Sequence, residues 1–327
     1  MDKSGVRYWL KEMQGVISGC LCYTTDINYS LPTLLSAAQA RANLSSRFDV
    51  VVVLVDAPRR EIADLRQAHE AEGITLTEVS GDAIDNLRID FARCFLDRLL
   101  DPQYRRVVHI DGDTHILGSL DPLLDHDVAA GRVLAVPDPL ALLASTSSYT
   151  WHFQRKRLAE IGLTPDAARR YANTGLFSAR REDLAGIGEA CRTLALKRGS
   201  RMRFGQQDAF NVVLGSAIDL ASFRWNYPAF FSNFCFDHLV EPRVRHFMSN
   251  PRPWQGAFLP WGPEGQTPYL DLLRRYPALA HLHSPLSSPR RLRYEIQQQV
   301  KRVVEPMFWD TSHLRGRIAE HEVAAII

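Results

Sequence analysis

The sequence predicts an α/β protein built on a doubly wound, mostly parallel sheet. Three observations carry this: strand and helix signals alternate through the first hundred or so residues; VVVLV at 51–55 is apolar throughout, as a strand covered on both faces requires; and VVHI at 107–110 runs straight into Asp111 and Asp113, placing two carboxylates where doubly wound sheets hold their ligands.

The elements follow in order. VISGCLCYTT, residues 16–25, reads as the first strand. SLPTLLSAAQARANL reads as a helix with Ser30 as N-cap and Pro32 in its first turn. After VVVLV come a charged amphipathic helix over about 59–72, a strand at ITLTEV, a helix at DFARCFLDRLL and the strand VVHI. The second half is less regular: a strand at VLAVPD, helical signals from Pro165 to Tyr171, a helix from Glu182 to about Arg198, and another carrying GQQDAFNVVLG at 205–215. Proline and aromatic residues crowd 225–261, predicting long ordered loops over a pocket. Neither GxGxxG nor GxxxxGK[ST] is present, which argues against a dinucleotide fold and a P-loop.

With 327 residues, 46% of them hydrophobic, the chain can bury a large core. Lysine and arginine exceed aspartate and glutamate by 39 to 37, so no global basic field points to nucleic acid. The charge is uneven, however. Between 274 and 302 the basic residues Arg274, Arg275, Arg290, Arg291, Arg293, Lys301 and Arg302 meet only Glu295, with Tyr276 and Tyr294 among them. Such a tail suits either an anionic membrane surface or a solvated helix face. Five cysteines without zinc-type spacing read as reduced core thiols of a cytosolic protein. GVISGCLCY, residues 15–23, is too short and begins too late for a signal peptide, and no apolar run approaches the roughly 18 residues of a spanning helix.

The chemistry centres on HIDGDTHILGSLDPLL. In extended chain, residues i and i+2 point to one side, so Asp111 and Asp113 can converge on one divalent cation across Gly112. Carboxylate oxygens suit Mg²⁺ or Mn²⁺. Asp-Gly-Asp also makes an ordinary turn, and on these residues alone both readings stand. A haloacid-dehalogenase-type phosphatase also follows a strand with two aspartates, but it requires Thr or Val where this chain has His115, and it places the motif near the start of its fold.

Six segments in order resemble glycosyltransferase family 8, retaining UDP-sugar transferases of GT-A fold that include bacterial lipopolysaccharide galactosyl- and glucosyltransferases and glycogenin. They are YTTDINYSLP from 23, FARCF from 91, HIDGDTHILGSLDPLL from 109, YANTGLFSARREDL from 171, QQDAFN from 206 and HFMSNPRPW from 246. The resemblance implies a GT-A, Rossmann-like catalytic domain over 1–256 and a basic helical extension over 257–327. It implies a donor site of Thr25, Asp26, Asn28, Tyr29, Arg93, Asp111, Gly112, Asp113, Asn173, Gly175, Ser249 and Arg252, with uracil along Tyr29 and the sugar beside Asn173. Asp111, Asp113 and His246 become metal ligands for Mn²⁺ or Mg²⁺, and Gln207 and Asp208 the catalytic pair. Gln206 stands where the family usually has aspartate, Ser249 where it has glycine and Arg252 where it has lysine.

The implied reaction moves glucose or galactose from a UDP-sugar to a glycan or glycolipid acceptor, in bacterial lipopolysaccharide or surface-polysaccharide synthesis. Same-face attack is favoured, with Gln207 stabilising an oxocarbenium-like state and acceptor contacts from Asp138 and the loop around Tyr227. The expected location is cytoplasmic, peripheral on the inner face of the membrane. The alternative is a non-catalytic nucleotide-sugar-binding or membrane-associated glycan-assembly protein.

Overall fold

A computed structural model describes residues 19–142, 149–199 and 202–327. The first expected strand is β1, Gly19–Thr25, and its residues 16–18 lie outside that range. There follow α1 (Ser30–Ala42), β2 (Asp49–Val55), α2 (Arg59–Ala71), β3 (Thr75–Val79), β4 (Arg106–Ile110), β5 (Thr114–Ile116) and β6 (Val133–Pro137). Then come α3 (Tyr149–Glu160), β7 (Ala172–Arg180), α4 (Arg181–Arg198), α5 (Gln206–Leu214), β8 (Ile218–Leu220), β9 (Tyr227–Pro228) and β10 (Val244–His246). Three helices close the chain: α6 (Gly262–Arg275), α7 (Ser288–Phe308) and α8 (Thr311–Ala324).

Seven strands form one sheet in the order β3-β2-β1-β4-β7-β6-β8, all parallel in direction except β7. The two-residue period of each strand sorts its side chains between two cores. Leu21 and Tyr23, with Val50, Val52 and Leu54, face α1 and α2. Cys20 and Cys22, with Val51, Val53 and Val55, face α4 and α5. An apolar β2 is therefore required, because both of its faces are covered.

Residues beyond 256 belong to the first of these cores: Tyr269 and Leu272 of α6 and Leu314 and Ile318 of α8 pack with the sheet residues. Glu72 at the end of α2 accepts from the Arg275 guanidinium and, at 2.8 Å, from the Tyr276 hydroxyl, tying α6 to α2.

Three sequence expectations change. Ser30 does not cap α1; its hydroxyl donates to the Ile27 carbonyl at 2.7 Å, and Asp26 caps the preceding 3₁₀ turn through the amides of Asn28 and Tyr29. DFARCFLDRLL is a 3₁₀ segment, Ile89–Phe95, with a single α turn at Leu96–Leu99. Cys235 is exposed, while Cys20, Cys22, Cys94 and Cys191 are buried free thiols.

A second sheet positions the site. β5 and β10 pair antiparallel with Thr114 opposite His246, β9 lies parallel to β10, and Phe247 N donates to the Asp113 carbonyl at 2.9 Å. This ladder brings the far end of the chain against the aspartate pair.

Candidate active site

Asp111 follows β4 directly, and its amide donates to the Gly175 carbonyl of β7 at 2.8 Å. Asp113 stands two residues on. Gly112 is required where it is: a Cβ there would fall 2.0 Å from Oγ1 of Thr33, so the turn lies directly on α1. His246 Nε2 is 3.1 Å from Asp113 Oδ1 and 4.0 Å from Asp111 Oδ2. One ligand atom from each of the three lies within 4.8 Å of the others. Two carboxylates and one imidazole, all turned to one point, fit a divalent cation.

Two arginines balance the aspartates. Arg93 donates to Asp111 Oδ1 at 2.7 Å and to the Thr174 carbonyl at 2.7 Å, and Arg252 donates to Asp113 Oδ2. Burial pushes the Asp111 carboxyl up in spite of Arg93. Burial acts on Asp113 in the same direction, but His246 and Arg252 together outweigh it and hold Asp113 well below the usual carboxylate range. The Nε atoms of both arginines are buried without hydrogen-bond partners.

Two clefts flank the cluster, and Tyr29 lines both. The first, about 230 Å³, is walled by Thr25, Asp26, Tyr29, Arg93, Asp111, Gly112 and Asp113, together with Thr24, Thr33, Ile89 and Asp90. The second, about 420 Å³, is walled by Asn28, Tyr29, Arg252, Trp254 and residues of the extension including His281. Tyr29 meets Trp254 edge-on at 5.6 Å, and His283 Nε2 lies 2.7 Å from the Trp254 carbonyl, so the extension helps build this wall. Ser249 is exposed in the loop after β10. A larger cavity of about 530 Å³ lies at the opposite end of the sheet, where β4 begins and β7 ends, away from the aspartates.

Several expected site residues are engaged within the protein. Asn173 lies outside both clefts: Oδ1 accepts from Gly175 N at 2.9 Å and Asn226 Nδ2 at 3.0 Å, while Nδ2 donates to Asp138 at 3.1 Å. Gly175 leaves room for the His246 ring, since a Cβ there would sit 2.4 Å from Cε1. Asp208 is fully buried; Arg157 NH1 donates to both of its oxygens at 3.0 Å, the Tyr171 hydroxyl to Oδ1 at 2.6 Å and Phe204 N to Oδ2 at 3.0 Å. Its lone pairs are spent on the scaffold. Gln207 makes longer bonds, accepting from Thr174 N at 3.2 Å and donating to Asp138 at 3.2 Å and to the Tyr171 hydroxyl at 3.3 Å. Asp138 and Tyr227, the expected acceptor contacts, are both buried. Burial pushes the Asp138 carboxyl up.

The sequence reading missed Asn226, whose Oδ1 lies 2.8 Å from His246 Nδ1, and the Arg157–Tyr171 support of Asp208. The one available signal for Asn226 was a lone amide between Trp225 and Tyr227 in an aromatic stretch.

The model of the family described as glycosyl transferase family 8 matches residues 20–257. The chain belongs to that family. It is a glycosyltransferase, and the matched span contains every ligand of the aspartate–histidine cluster. No curated protein matches it. Among solved structures, the bifunctional glycosyltransferase WbbM is similar at 16% identity and a TM-score of 0.61, covering 81% of this chain and 51% of its own. The present chain thus spans about half of WbbM. The galactosyltransferase LgtC, in complex with donor and acceptor sugar analogs, shares 17% identity at a TM-score of 0.59, with 83% of this chain and 99% of LgtC covered. GlyE of Streptococcus pneumoniae TIGR4 shares 15% at 0.56, with 83% and 66% covered. At these identities the likeness establishes the GT-A fold. Among the described residues no helix is long and apolar enough to cross a membrane.

Proposed function

We propose that this family 8 enzyme transfers a hexose, glucose or galactose, from a UDP-sugar to a hydroxyl of a glycan or glycolipid acceptor, with retention at the anomeric carbon. One observation carries the reading: Asp111, Asp113 and His246 converge beside a cleft walled by Thr25, Asp26, Tyr29 and Arg93. The three would hold a divalent cation, Mn²⁺ being the better match to an imidazole ligand, and the ion would supply electrostatic stabilisation of the departing UDP.

The chain's own residues do the rest. Tyr29 offers a ring for a base, and Asp26 and Asn28 offer polar groups at its edge. Arg252 and Arg93 each bring a guanidinium with an unpaired Nε, suited to diphosphate oxygens. Gln207 is the member of the Gln207–Asp208 pair with a loosely held amide, which favours it as the group that stabilises positive charge on the sugar. The saturated Asp208 disfavours a double displacement through that residue, so attack from the leaving-group side is the preferred course.

The proposal extends to a bacterial surface glycan, lipopolysaccharide or a related polysaccharide, made at the cytoplasmic face of the membrane. It includes peripheral contact through α7. There Leu292, Ile296, Val300, Val303 and Met307 recur at spacings of three and four, each between 55% and 80% exposed, with Arg290, Arg291, Arg293 and Arg302 exposed on the same helix. An apolar stripe bordered by arginines matches an anionic lipid surface.

The deciding experiment is thermal stabilisation by UDP with and without Mn²⁺, beside UDP-glucose, UDP-galactose and GDP-mannose, in wild type and Asp113→Asn. A ligand that binds only the native state raises its stability. Metal-dependent stabilisation by uridine nucleotides, lost in Asp113→Asn, is expected. Equal stabilisation by GDP-mannose, or no response to UDP, would overturn the donor assignment.

A further inference from the structure

We infer that Asn226 is a positioning residue for the metal centre: its carboxamide oxygen holds the Nδ1–H of His246 and so presents the Nε2 lone pair to the point shared by Asp111 and Asp113. The inference rests on the metal-site reading above and adds a residue outside the six sequence segments that resemble the family.

The orientation of each amide in this network follows from its neighbour. The Asp138 carboxylate accepts from Leu140 N at 3.0 Å, from Gln207 Nε2 at 3.2 Å and from Asn173 Nδ2 at 3.1 Å. A carboxylate only accepts, so the atom of Asn173 facing it must be its nitrogen. The oxygen of Asn173 then faces the Gly175 N–H, which can only donate, and the Asn226 side chain at 3.0 Å. Asn226 must therefore turn its nitrogen to Asn173 and its oxygen to His246 Nδ1, 2.8 Å away. An imidazole whose Nδ1 faces an oxygen carries a proton there, so Nε2, 3.1 Å from Asp113 Oδ1, is the nitrogen whose lone pair a bound cation would take.

Position and protonation of the ring are thus set separately. Gly175 makes the space that the ring fills, whereas Asn226 decides which nitrogen is free. Asn226 is 2% exposed and His246 4%, so water has little access to replace the lost acceptor. Partners of this kind behind a metal-bound histidine typically change metal affinity about 10–100-fold when removed.

The test measures Mn²⁺ binding by paramagnetic resonance of the free ion, and the visible spectrum of the Co²⁺-loaded protein, without any sugar donor. Wild type, Asn226→Leu, Asn226→Asp and Asp113→Asn are compared, with folding checked by circular dichroism. Asn226→Leu is expected to weaken Mn²⁺ binding about 10–100-fold and to alter the Co²⁺ bands. Asn226→Asp keeps an acceptor on Nδ1 and gives up only the donor to Asn173, so its affinity and spectrum should return toward wild type. Wild-type affinity in Asn226→Leu, or an equal loss in Asn226→Asp, would overturn the role.

Should Asn226→Leu not fold, Asn173→Ala carries the test. It removes the oxygen that keeps the Asn226 nitrogen turned away from His246, and unchanged Mn²⁺ binding in it would again overturn the role. If wild type itself bound no Mn²⁺, the metal centre would fall together with this inference; normal wild-type binding with an indifferent Asn226 sinks the inference alone.

Discussion

A Cβ built at Gly175 would stand 2.4 Å from Cε1 and 2.9 Å from Nδ1 of His246, so the imidazole occupies the volume an alanine methyl would need. Gly175→Ala should push His246 off the aspartates. Overpacking in a closed interior costs about 1–3 kcal/mol, and a drop of that size in unfolding free energy is expected together with a loss of Mn²⁺ binding. Calorimetric titration with Mn²⁺ checks it; full affinity in the variant would mean the ring has another place to sit.

Asp208 is a buried charge held by Arg157, the Tyr171 hydroxyl and the Phe204 amide. Breaking a buried pair from one side typically costs about 3–5 kcal/mol, so Asp208→Ala should be strongly destabilised in urea unfolding. Mass spectrometry of wild type during turnover should find no sugar attached to Asp208. A covalent adduct there would reinstate it as the nucleophile.

Acid should weaken the fold through two buried histidines. Burial brings His69 down to about 4 and His115 down to about 3, the latter aided by Arg245. In the unfolded chain both titrate near 6.5. Below that value the unfolded state holds more protons, so the stability present above about pH 6.5 is lost as pH falls toward the folded values. His69→Leu removes one of these contributions. At roughly 1.4 kcal/mol per pH unit, the fall in unfolding free energy from about pH 7.5 to about pH 5 should shrink by about 2 kcal/mol. An unchanged fall in urea titrations at the two pH values would refute the assignment to His69.

The apolar stripe of α7 can be tested without disturbing the site. Ile296→Glu with Val300→Glu should leave unfolding free energy within about 0.5 kcal/mol of wild type, because both side chains are exposed. Cosedimentation with phosphatidylglycerol vesicles should be lost in the double variant, and should weaken with salt in wild type. Equal sedimentation of both proteins would remove α7 as the contact.

The alternating layout and the aspartate turn were legible because both follow from local rules. The apolar run of β2 and its two-residue period told which side chains each face would bury, and Asp111 and Asp113 were set on one side by the same period. The rest depended on pairings distant in the chain. Nothing near Asn173 signals that both of its amide atoms are taken up by Gly175, Asn226 and Asp138. Arg157 and Tyr171 lie on different elements from Asp208, so only the assembled fold reveals that this carboxylate is part of the framework. The reversal of β7 is likewise invisible in its sequence, since an apolar strand reads the same in either direction.

The ladder between β5 and β10 has a further consequence. It continues past its three paired residues, from Asp113 O with Phe247 N at one end to Leu117 N with Arg243 O at the other. The spatial relation of His246 to the aspartates is therefore written in hydrogen bonds across this short seam and not in the length of chain that connects its two sides. Residues inserted into exposed loops between 117 and 243 would lengthen the detour and leave Asp111, Asp113 and His246 where they are. A slip of one residue along the seam would turn the imidazole to the opposite face of the strand and abolish the centre outright. The architecture tolerates growth in the loops and forbids any half-measure at the aspartate–histidine cluster.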